Sequence, residues 1–189
     1  MNRKGRMLGA TFVGFGLVAA GLSLGAAKPG EKAAGKAESV VERGRYLATI
    51  AGCNDCHTPG TLYGGPDFKR ALAGSEVGWQ GPWGISFARN LTPDPETGLG
   101  KWTEAEIVNA LKTGVKKDGS VLLPPMPWPN TSQMSDADLH ALVAYLRSLP
   151  PVKHAVPAAL PPGGKYDGPV LAMPATGAWD APATAPSGH

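Results

Sequence analysis

Both cysteines of the 189-residue chain stand close together, and a histidine directly follows the second, in the run Cys53-Asn54-Asp55-Cys56-His57. Two thiols at this spacing lie on one helical turn, where both can form thioether bonds to the vinyl groups of a single porphyrin. The histidine that follows then lies beside the iron and can serve as its proximal ligand. The run is therefore the attachment motif of a c-type haem, with Cys53 and Cys56 as attachment residues and His57 as a ligand.

Three other uses of the cysteine pair are open at this point. A thiol redox pair normally belongs to a βαβ unit, and the sequence shows no sign of one. A structural zinc needs four nitrogen or sulfur ligands, but the other histidines form no H-x-x-x-H pair: His140, His154 and His189. A structural disulfide forms in an oxidising compartment but gives His57 no role. The haem interpretation is preferred because it uses all three residues of the motif.

A methionine is the candidate for the second iron ligand. Met126 lies in the segment 122–129, where four prolines exclude a helix and restrict the backbone. A thioether is a weak, neutral ligand, and a loop that is already fixed loses less entropy when it binds. Met126 could also simply fill the core, but the haem motif in the same chain favours ligation. Met134 directly precedes a helix start, so we predict that it packs in the core.

Three helices with N-terminal caps are predicted to hold these residues. Ser39 with Glu42, and Thr103 with Glu106, have the spacing of capping boxes, and Ser135 caps the third helix. The first helix runs into the haem motif, and the second ends at Gly114. The third has an apolar stripe at helical spacing, formed by Leu139, Leu142, Val143 and Leu146.

The first helix has a less regular pattern than the third. Its predicted apolar face consists of Val40, Val41, Tyr46, Leu47 and Ile50. Gly44 lies inside this helix at a cost of about 1 kcal/mol relative to alanine. The glycine either permits close packing of another backbone or ring, or is a tolerated surface residue, and the sequence leaves both explanations open.

Loops are predicted to outweigh regular structure in the remaining chain. Gly 26 and Pro 19 are high counts, and residues 58–90 show no long periodic pattern. We predict irregular loops there, with one short extended piece at 85–88 and a turn at 90–95, where two prolines follow an asparagine. No glycine motif for nucleotide phosphates is present. The net charge of +3 lies in the N-terminal segment, so nucleic-acid binding is not predicted.

The N-terminal residues have the order of an export signal. A basic start precedes the uncharged segment 7–27, which predicts export to the periplasm. The segment exceeds the usual signal core of about 7 to 15 residues and approaches the ~20 of a spanning helix. Residues 1–27 are therefore a signal peptide, which we favour, or an N-terminal membrane anchor. We predict a flexible linker at 28–38, a domain at 39–156 and a Pro/Ala/Gly-rich tail at 157–189.

Taken together, these features resemble class I c-type cytochromes over residues 39–156. The similarity is greatest to small bacterial cytochromes and to the cytochrome subunits of membrane-bound alcohol and aldehyde dehydrogenases. It rests on the haem motif and on four further runs, at 88–94, 97–102, 125–127 and 144–146. The resemblance implies an all-α cytochrome c fold, with three main helices and long Gly/Pro-rich loops around one covalent haem c.

The resemblance also implies roles for individual residues. His57 would be the proximal and Met126 the distal ligand of the haem iron. Three residues would lie on the side of the haem propionates: Trp102, Arg89 and Asn90. With both axial positions filled, the iron has no place for a substrate, so an electron carrier rather than an enzyme is expected.

The expected partners are redox proteins, with a dehydrogenase as donor and an oxidase or another cytochrome as acceptor. Membrane contact is expected only if the N-terminal segment is retained. The dehydrogenase subunits carry three such domains, whereas this chain carries one haem motif. This difference favours a small carrier, or a single-haem subunit of a dehydrogenase or oxidase complex. A haem peroxidase is a third possibility, and it would need an open iron position.

Overall fold

The structure is a computed structural model that describes residues 38–174. Its five helices are α1 (Val40–Ile50), α2 (Cys53–His57), α3 (Glu104–Thr113), α4 (Trp128–Thr131) and α5 (Asp136–Ser148). Its three strands are β1 (Gly78–Gly81), β2 (Gly84–Phe87) and β3 (Val170–Ala172). The predicted export segment 1–27, almost all of the linker and the end of the predicted tail lie outside the described residues. Within residues 38–174, no helix has both the length and the apolar character needed to cross a membrane.

The three predicted helix starts are confirmed. Ser39 and Glu42 form a capping box, in which Glu42 N–H donates to Ser39 Oγ (3.2 Å) and Ser39 N–H donates to Glu42 Oε2 (2.9 Å). Thr103 and the Glu106 side chain make the same reciprocal pair at the start of α3. Ser135 Oγ accepts from the backbone N–H of Asp138. These caps satisfy backbone donors that a helix start would otherwise leave without partners.

The predicted apolar face of α1 is largely wrong. Val40, Tyr46 and Ile50 are 60%, 51% and 60% exposed, and of the predicted set only Leu47 is buried. The buried side of α1 instead consists of Gly44, Leu47 and Ala48, and it packs against α5. Because these residues are mostly small, the two helix backbones can come very close together.

Gly44 lies at the point where α1 and α5 come closest. A Cβ at this position would lie 1.9 Å from the carbonyl oxygen of Ala141 and 2.7 Å from Cβ of Tyr145. Both distances are far shorter than van der Waals contact. The structure therefore decides between the two explanations of Gly44, in favour of close backbone packing.

The main core lies between α1, α5 and the loops that follow the haem motif. Ala48, Leu72, Leu142 and Leu146 form one buried cluster, and Met134 packs against it, as predicted. All four residues of the predicted α5 stripe are buried: Leu139, Leu142, Val143 and Leu146.

A small sheet adds β structure to the expected all-α fold. Strand β1 pairs antiparallel with β2, with Gly78 opposite Phe87, and parallel with β3, with Gly78 opposite Val170. Strand β2 overlaps the predicted extended piece at 85–88, but β1 and β3 were not predicted. Strand β1 has four residues with a glycine at each end, which is too short and too poor in side chains to show alternation. Strand β3 has three residues and lies far from its partner β1 in sequence, so no local pattern reveals it.

The packed part of the chain extends beyond the predicted domain end at residue 156. A second core cluster consists of Ile85, Phe87 and Val156, and both Leu160 and Tyr166 pack against it. The rings of Phe87 and Tyr166 meet edge to face at 4.9 Å between centroids. Leu160 and Tyr166 therefore dock beside the sheet, although this segment has too few large apolar residues to form a core of its own.

Candidate haem-binding site

The haem motif lies on α2, which begins directly after a sharp bend. Gly52 precedes Cys53 with a φ of 67°, a conformation that glycine adopts without strain. Cys53 and Cys56 are both free thiols and are partly exposed. Burial raises the pKa of Cys53 to about 11 and also raises the pKa of Cys56. Reactive redox cysteines have a lowered pKa, so this environment does not favour the thiol redox pair.

His57 is oriented by a backbone carbonyl. Its Nδ1 lies 2.7 Å from the carbonyl oxygen of Arg89. Because a carbonyl can only accept, Nδ1 carries the proton and donates it. Burial lowers the pKa of His57, although the bond to Arg89 opposes that shift, so the ring is neutral near pH 7. The Nε2 lone pair is therefore free to bind a metal, which is the state that an axial histidine requires.

The loops around His57 fix its backbone as well as its ring. The N–H of Gly74 donates to the carbonyl oxygen of His57 (2.7 Å). The next residue, Thr58, is 1% exposed; its hydroxyl donates to Asn54 Oδ1 (2.8 Å) and accepts from the N–H of Leu72 (3.0 Å). The contacts of Gly74 and Leu72 were not predictable from the sequence, because they involve backbone groups that every residue carries.

Met126 lies on a loop that two separate elements fix. Its N–H donates to the carbonyl of Leu123 (3.2 Å), and its own carbonyl accepts from the N–H of Trp128 (2.9 Å). The hydroxyl of Ser86 in β2 donates to the carbonyl of Pro124. The N–H of Leu122 donates to the carbonyl of Gly114, which ends α3. The Met126 side chain is half-buried on this restricted loop, and its axial role stays a prediction.

The Asn90 side chain makes all of its hydrogen bonds to other residues of the protein. Nδ2 donates to Thr97 Oγ1 (3.0 Å) and to the carbonyl of Val152 (2.8 Å). Oδ1 accepts from both the N–H and the hydroxyl of Thr92. The side chain is 2% exposed, and these bonds use both of its hydrogens. Asn90 thus holds the predicted turn to residues that follow α5, and its side chain has no hydrogen left to donate to a propionate.

Arg89 and Trp102 also make identifiable contacts with the protein. The Arg89 guanidinium donates to the carbonyls of Val156 (3.1 Å) and Pro157 (2.7 Å). Trp102 is half-buried, its carbonyl accepts from Arg147 (2.9 Å), and Lys117 Nζ lies 5.1 Å from the centre of its ring. Contact of either residue with a propionate stays a prediction.

The structure therefore brings some of the predicted site residues together and leaves others on separate elements. Cys53, Cys56 and His57 share α2, and the carbonyl of Arg89 contacts His57. Met126 lies before α4 and Trp102 before α3. His140, predicted to be a surface residue, is exposed and paired with Glu104. Across residues 38–174, no three His, Cys, Asp or Glu side chains gather as a structural zinc would require.

The surroundings of the motif suit an apolar ring. Cys53, Leu91 and Leu99 pack against the main core cluster. Leu91 and Leu99 also line a cavity of about 100 Å³, which is mostly apolar and which no residue of the motif lines. Two free thiols on one turn, a neutral histidine with a free Nε2 and nearby apolar side chains together fit a covalently attached haem.

The sequence profile of the cytochrome c family matches residues 41–150, more than half of the chain. This chain belongs to the cytochrome c family. Members of this family transfer electrons through covalently attached haem c. This cytochrome is therefore an electron-transfer module and not a catalytic one, as predicted. The predicted fold is confirmed at the level of the family, with the small sheet as an addition.

Three larger proteins, each a dehydrogenase subunit, contain a region similar to this cytochrome. A nicotinate dehydrogenase subunit from Pseudomonas putida is 39% identical over 64% of this chain and 9% of its own length. The cytochrome c subunit of a quinone-dependent alcohol dehydrogenase from Gluconobacter oxydans is 37% identical over 57% and 21%. The gluconate 2-dehydrogenase cytochrome c subunit from Pantoea cypripedii is 35% identical over 62% and 25%. The chain thus spans a quarter or less of the length of these relatives.

Proposed function

We propose that this cytochrome is a periplasmic one-electron carrier with a single haem c. Cys53 and Cys56 hold the haem, and His57 and Met126 are the axial ligands. The observation that carries the proposal is the hydrogen bond from His57 Nδ1 to the carbonyl of Arg89, at 2.7 Å. It fixes the tautomer in which Nε2 can bind iron, on the same turn as two free thiols. The chain has two cysteines, enough to attach one haem by two thioether bonds.

The residues of the chain set the conditions for electron transfer. The haem supplies a one-electron ferric/ferrous couple when bound. Donation from Nδ1 to a carbonyl raises the basicity of the His57 ring and holds its orientation. A neutral methionine sulfur and apolar surroundings favour the ferrous state, which raises the reduction potential relative to two histidine ligands. With both axial positions filled, small molecules have no vacant coordination site, so the protein transfers electrons without binding a substrate.

Visible spectroscopy of the purified ferric protein tests the ligand assignment. We expect the sulfur-to-iron charge-transfer band in the wild type, and its loss in Met126→Ala because the variant lacks the sulfur. Met134→Leu is the matched control, because Met134 packs against the core and a leucine of similar volume should keep the band. A wild-type protein that lacks the band and rapidly binds carbon monoxide or cyanide would contradict the carrier and support a peroxidase-type enzyme.

A single-haem subunit of a dehydrogenase complex is the second candidate. The names of the relatives favour it, since all three are dehydrogenase subunits. A free carrier should instead dock briefly, through an interface that typically buries under ~1,200 Å². Purification in mild detergent at moderate salt separates the two candidates. Stoichiometric recovery with a dehydrogenase subunit would indicate the complex, whereas recovery alone, with rapid reduction by the dehydrogenase, would indicate the carrier.

A further inference from the structure

Residues 152–172, which we call the strap, follow α5 and return to the loops around the haem motif. They lie just beyond residues 41–150, which match the family profile. The strap forms an isolated bridge to β2, where Leu160 pairs with Ile85, and ends in β3 beside β1. Tyr166 packs against the same part of the structure, and its hydroxyl donates to the carbonyl of Glu76 (2.8 Å). The strap is thus fixed along its length.

The first contact between the strap and the site is made by Arg89. Its carbonyl accepts the Nδ1 proton of His57 (2.7 Å), while its guanidinium donates to the carbonyls of Val156 (3.1 Å) and Pro157 (2.7 Å). The side chain of the residue that orients His57 is therefore held by the strap. The neighbouring Asn90 donates to the carbonyl of Val152, so the strap also holds the next residue in the chain.

A second contact reaches the backbone of His57. His154 Nδ1 lies 2.8 Å from the carbonyl of Ala73, and Nε2 lies 2.5 Å from Glu76 Oε1. Gly74, between these two partners, donates its N–H to the carbonyl of His57. The His154 side chain is only 11% exposed. The strap thus touches both segments that hydrogen-bond His57.

We propose that the strap is a positioning element for the proximal ligand, and that Arg89 is the positioning residue through which it acts. This inference rests on the proposed role of His57. Groups that hydrogen-bond the outer nitrogen of a metal-bound histidine raise its basicity. A more basic histidine stabilises the ferric state, so the strap lowers the reduction potential. Loosening the strap should weaken the bond from Nδ1 and raise the potential.

Arg89→Met removes the guanidinium while keeping the carbonyl, and Lys153→Met is the matched control. Lys153 is on the strap and has the same charge, but it pairs with Glu96 at the surface. In the oxidised holoprotein, NMR should show the Nδ1 proton of His57 exchanging with solvent at least tenfold faster in Arg89→Met. The control should stay within twofold of the wild type. Arg89→Lys, which keeps a charged donor, should restore slow exchange.

The reduction potential provides the second measurement. In Arg89→Met we expect the ratio of ferrous to ferric protein at a given potential to rise up to tenfold. This corresponds to a reduction potential about 59 mV higher, since the couple transfers one electron. Loss of a positive charge alone shifts the potential downward, so an upward shift identifies the positioning effect. An exchange rate within twofold of the wild type in Arg89→Met would overturn the proposal. Absence of the sulfur-to-iron band from the wild type would instead count against the proposed ligation by Met126.

Two substitutions of His154 test the contact between the strap and the loop at residues 73–76. They test the proposal independently if Arg89→Met does not fold. His154→Asn keeps a donor near Nδ1, facing Ala73, whereas His154→Gln places its donor near Nε2, facing Glu76. We expect the Gly74 amide to exchange faster in the glutamine variant and at the wild-type rate in the asparagine variant. Wild-type rates in both would show that the strap does not hold this loop, and the proposal would fail.

Discussion

His57 depends on a contact that side-chain identities do not reveal. Cys53, Cys56 and His57 were identifiable from the sequence, because their chemistry requires those residue types at that spacing. The carbonyl of Arg89 was not, since every residue carries a carbonyl and only the fold brings this one within 2.7 Å of Nδ1. The sequence suggested the Arg89 side chain as a propionate contact. In the structure, this side chain joins the strap to the loop that orients His57.

Asp94 makes the stability of its loop dependent on pH. Its Oδ1 accepts from the Thr97 hydroxyl (2.7 Å), the Thr97 N–H (2.7 Å) and the Glu96 N–H (3.1 Å). These bonds, chiefly the one from the Thr97 hydroxyl, lower the pKa of Asp94. A carboxylate with a lowered folded-state pKa stabilises the protein above its unfolded value of about 3.9. That contribution is lost as the pH falls through the lower, folded value.

We therefore expect Asp94→Asn to lose stability near neutral pH and to show a weaker decline of stability below about pH 4. Urea unfolding of the holoprotein across the acidic range measures both effects. Thr97→Ser keeps the hydroxyl donor and should retain the wild-type pH dependence. An unchanged acid slope in Asp94→Asn would show that this carboxylate does not contribute to the pH dependence.

The helices divide into parts that the sequence could predict and parts that it could not. Caps such as Ser39 with Glu42 were predictable, because both partners lie within one turn. The apolar face of α1 was not, because the helix buries Gly44 and Ala48 beside Leu47 and leaves its other large residues outside. Strand β3 was not predictable because its partner is distant in the chain, with Gly78 opposite Val170. Strand β1 was not predictable because it is short and has a glycine at each end.

Gly44→Ala tests the crossing of α1 and α5. The new Cβ would lie 1.9 Å from the backbone oxygen of Ala141, which cannot move without shifting α5. Overpacking of this kind costs about 1 to 3 kcal/mol and occasionally more, and the higher helix propensity of alanine offsets about 1 kcal/mol. We expect a net loss of about 2 kcal/mol in the free energy of unfolding, measured with urea.

Gly65→Ala is the matched control for this substitution. A Cβ at Gly65 would meet no atom within 4 Å, and its φ is not positive. Its effect should stay within about 0.5 kcal/mol of the wild type, as for most surface positions. Equal stability of the two alanine variants would show that α1 and α5 can separate without cost.

At the scale of the whole molecule, the apolar core formed within residues 38–174 is modest. The main cluster has four buried members and the second has three. Large apolar side chains close to the motif in sequence are exposed, including Tyr63 and Phe68, each at 69%. Small domains with little buried apolar surface are marginally stable without an added group. The covalently attached porphyrin is expected to supply the missing apolar contacts.

We therefore predict that the protein without haem is largely unfolded. Cys53→Ala/Cys56→Ala, which cannot form either thioether bond, provides haem-free protein for NMR spectroscopy. We expect poorly dispersed amide signals from this variant and well-dispersed signals from the wild-type holoprotein. Native-like dispersion in the haem-free variant would show that the protein core is sufficient by itself.

The strap has a consequence for the order in which the protein folds. Its bonds join residues that are far apart in the chain: Arg89 and Val156 are separated by 67 positions, and Glu76 and Tyr166 by 90. Contacts of this length form slowly, because the chain must first lose the entropy of closing a large loop. The helices, by contrast, begin with caps that lie within one turn. The surroundings of His57 should therefore reach their final form late in folding, when the strap returns to β1.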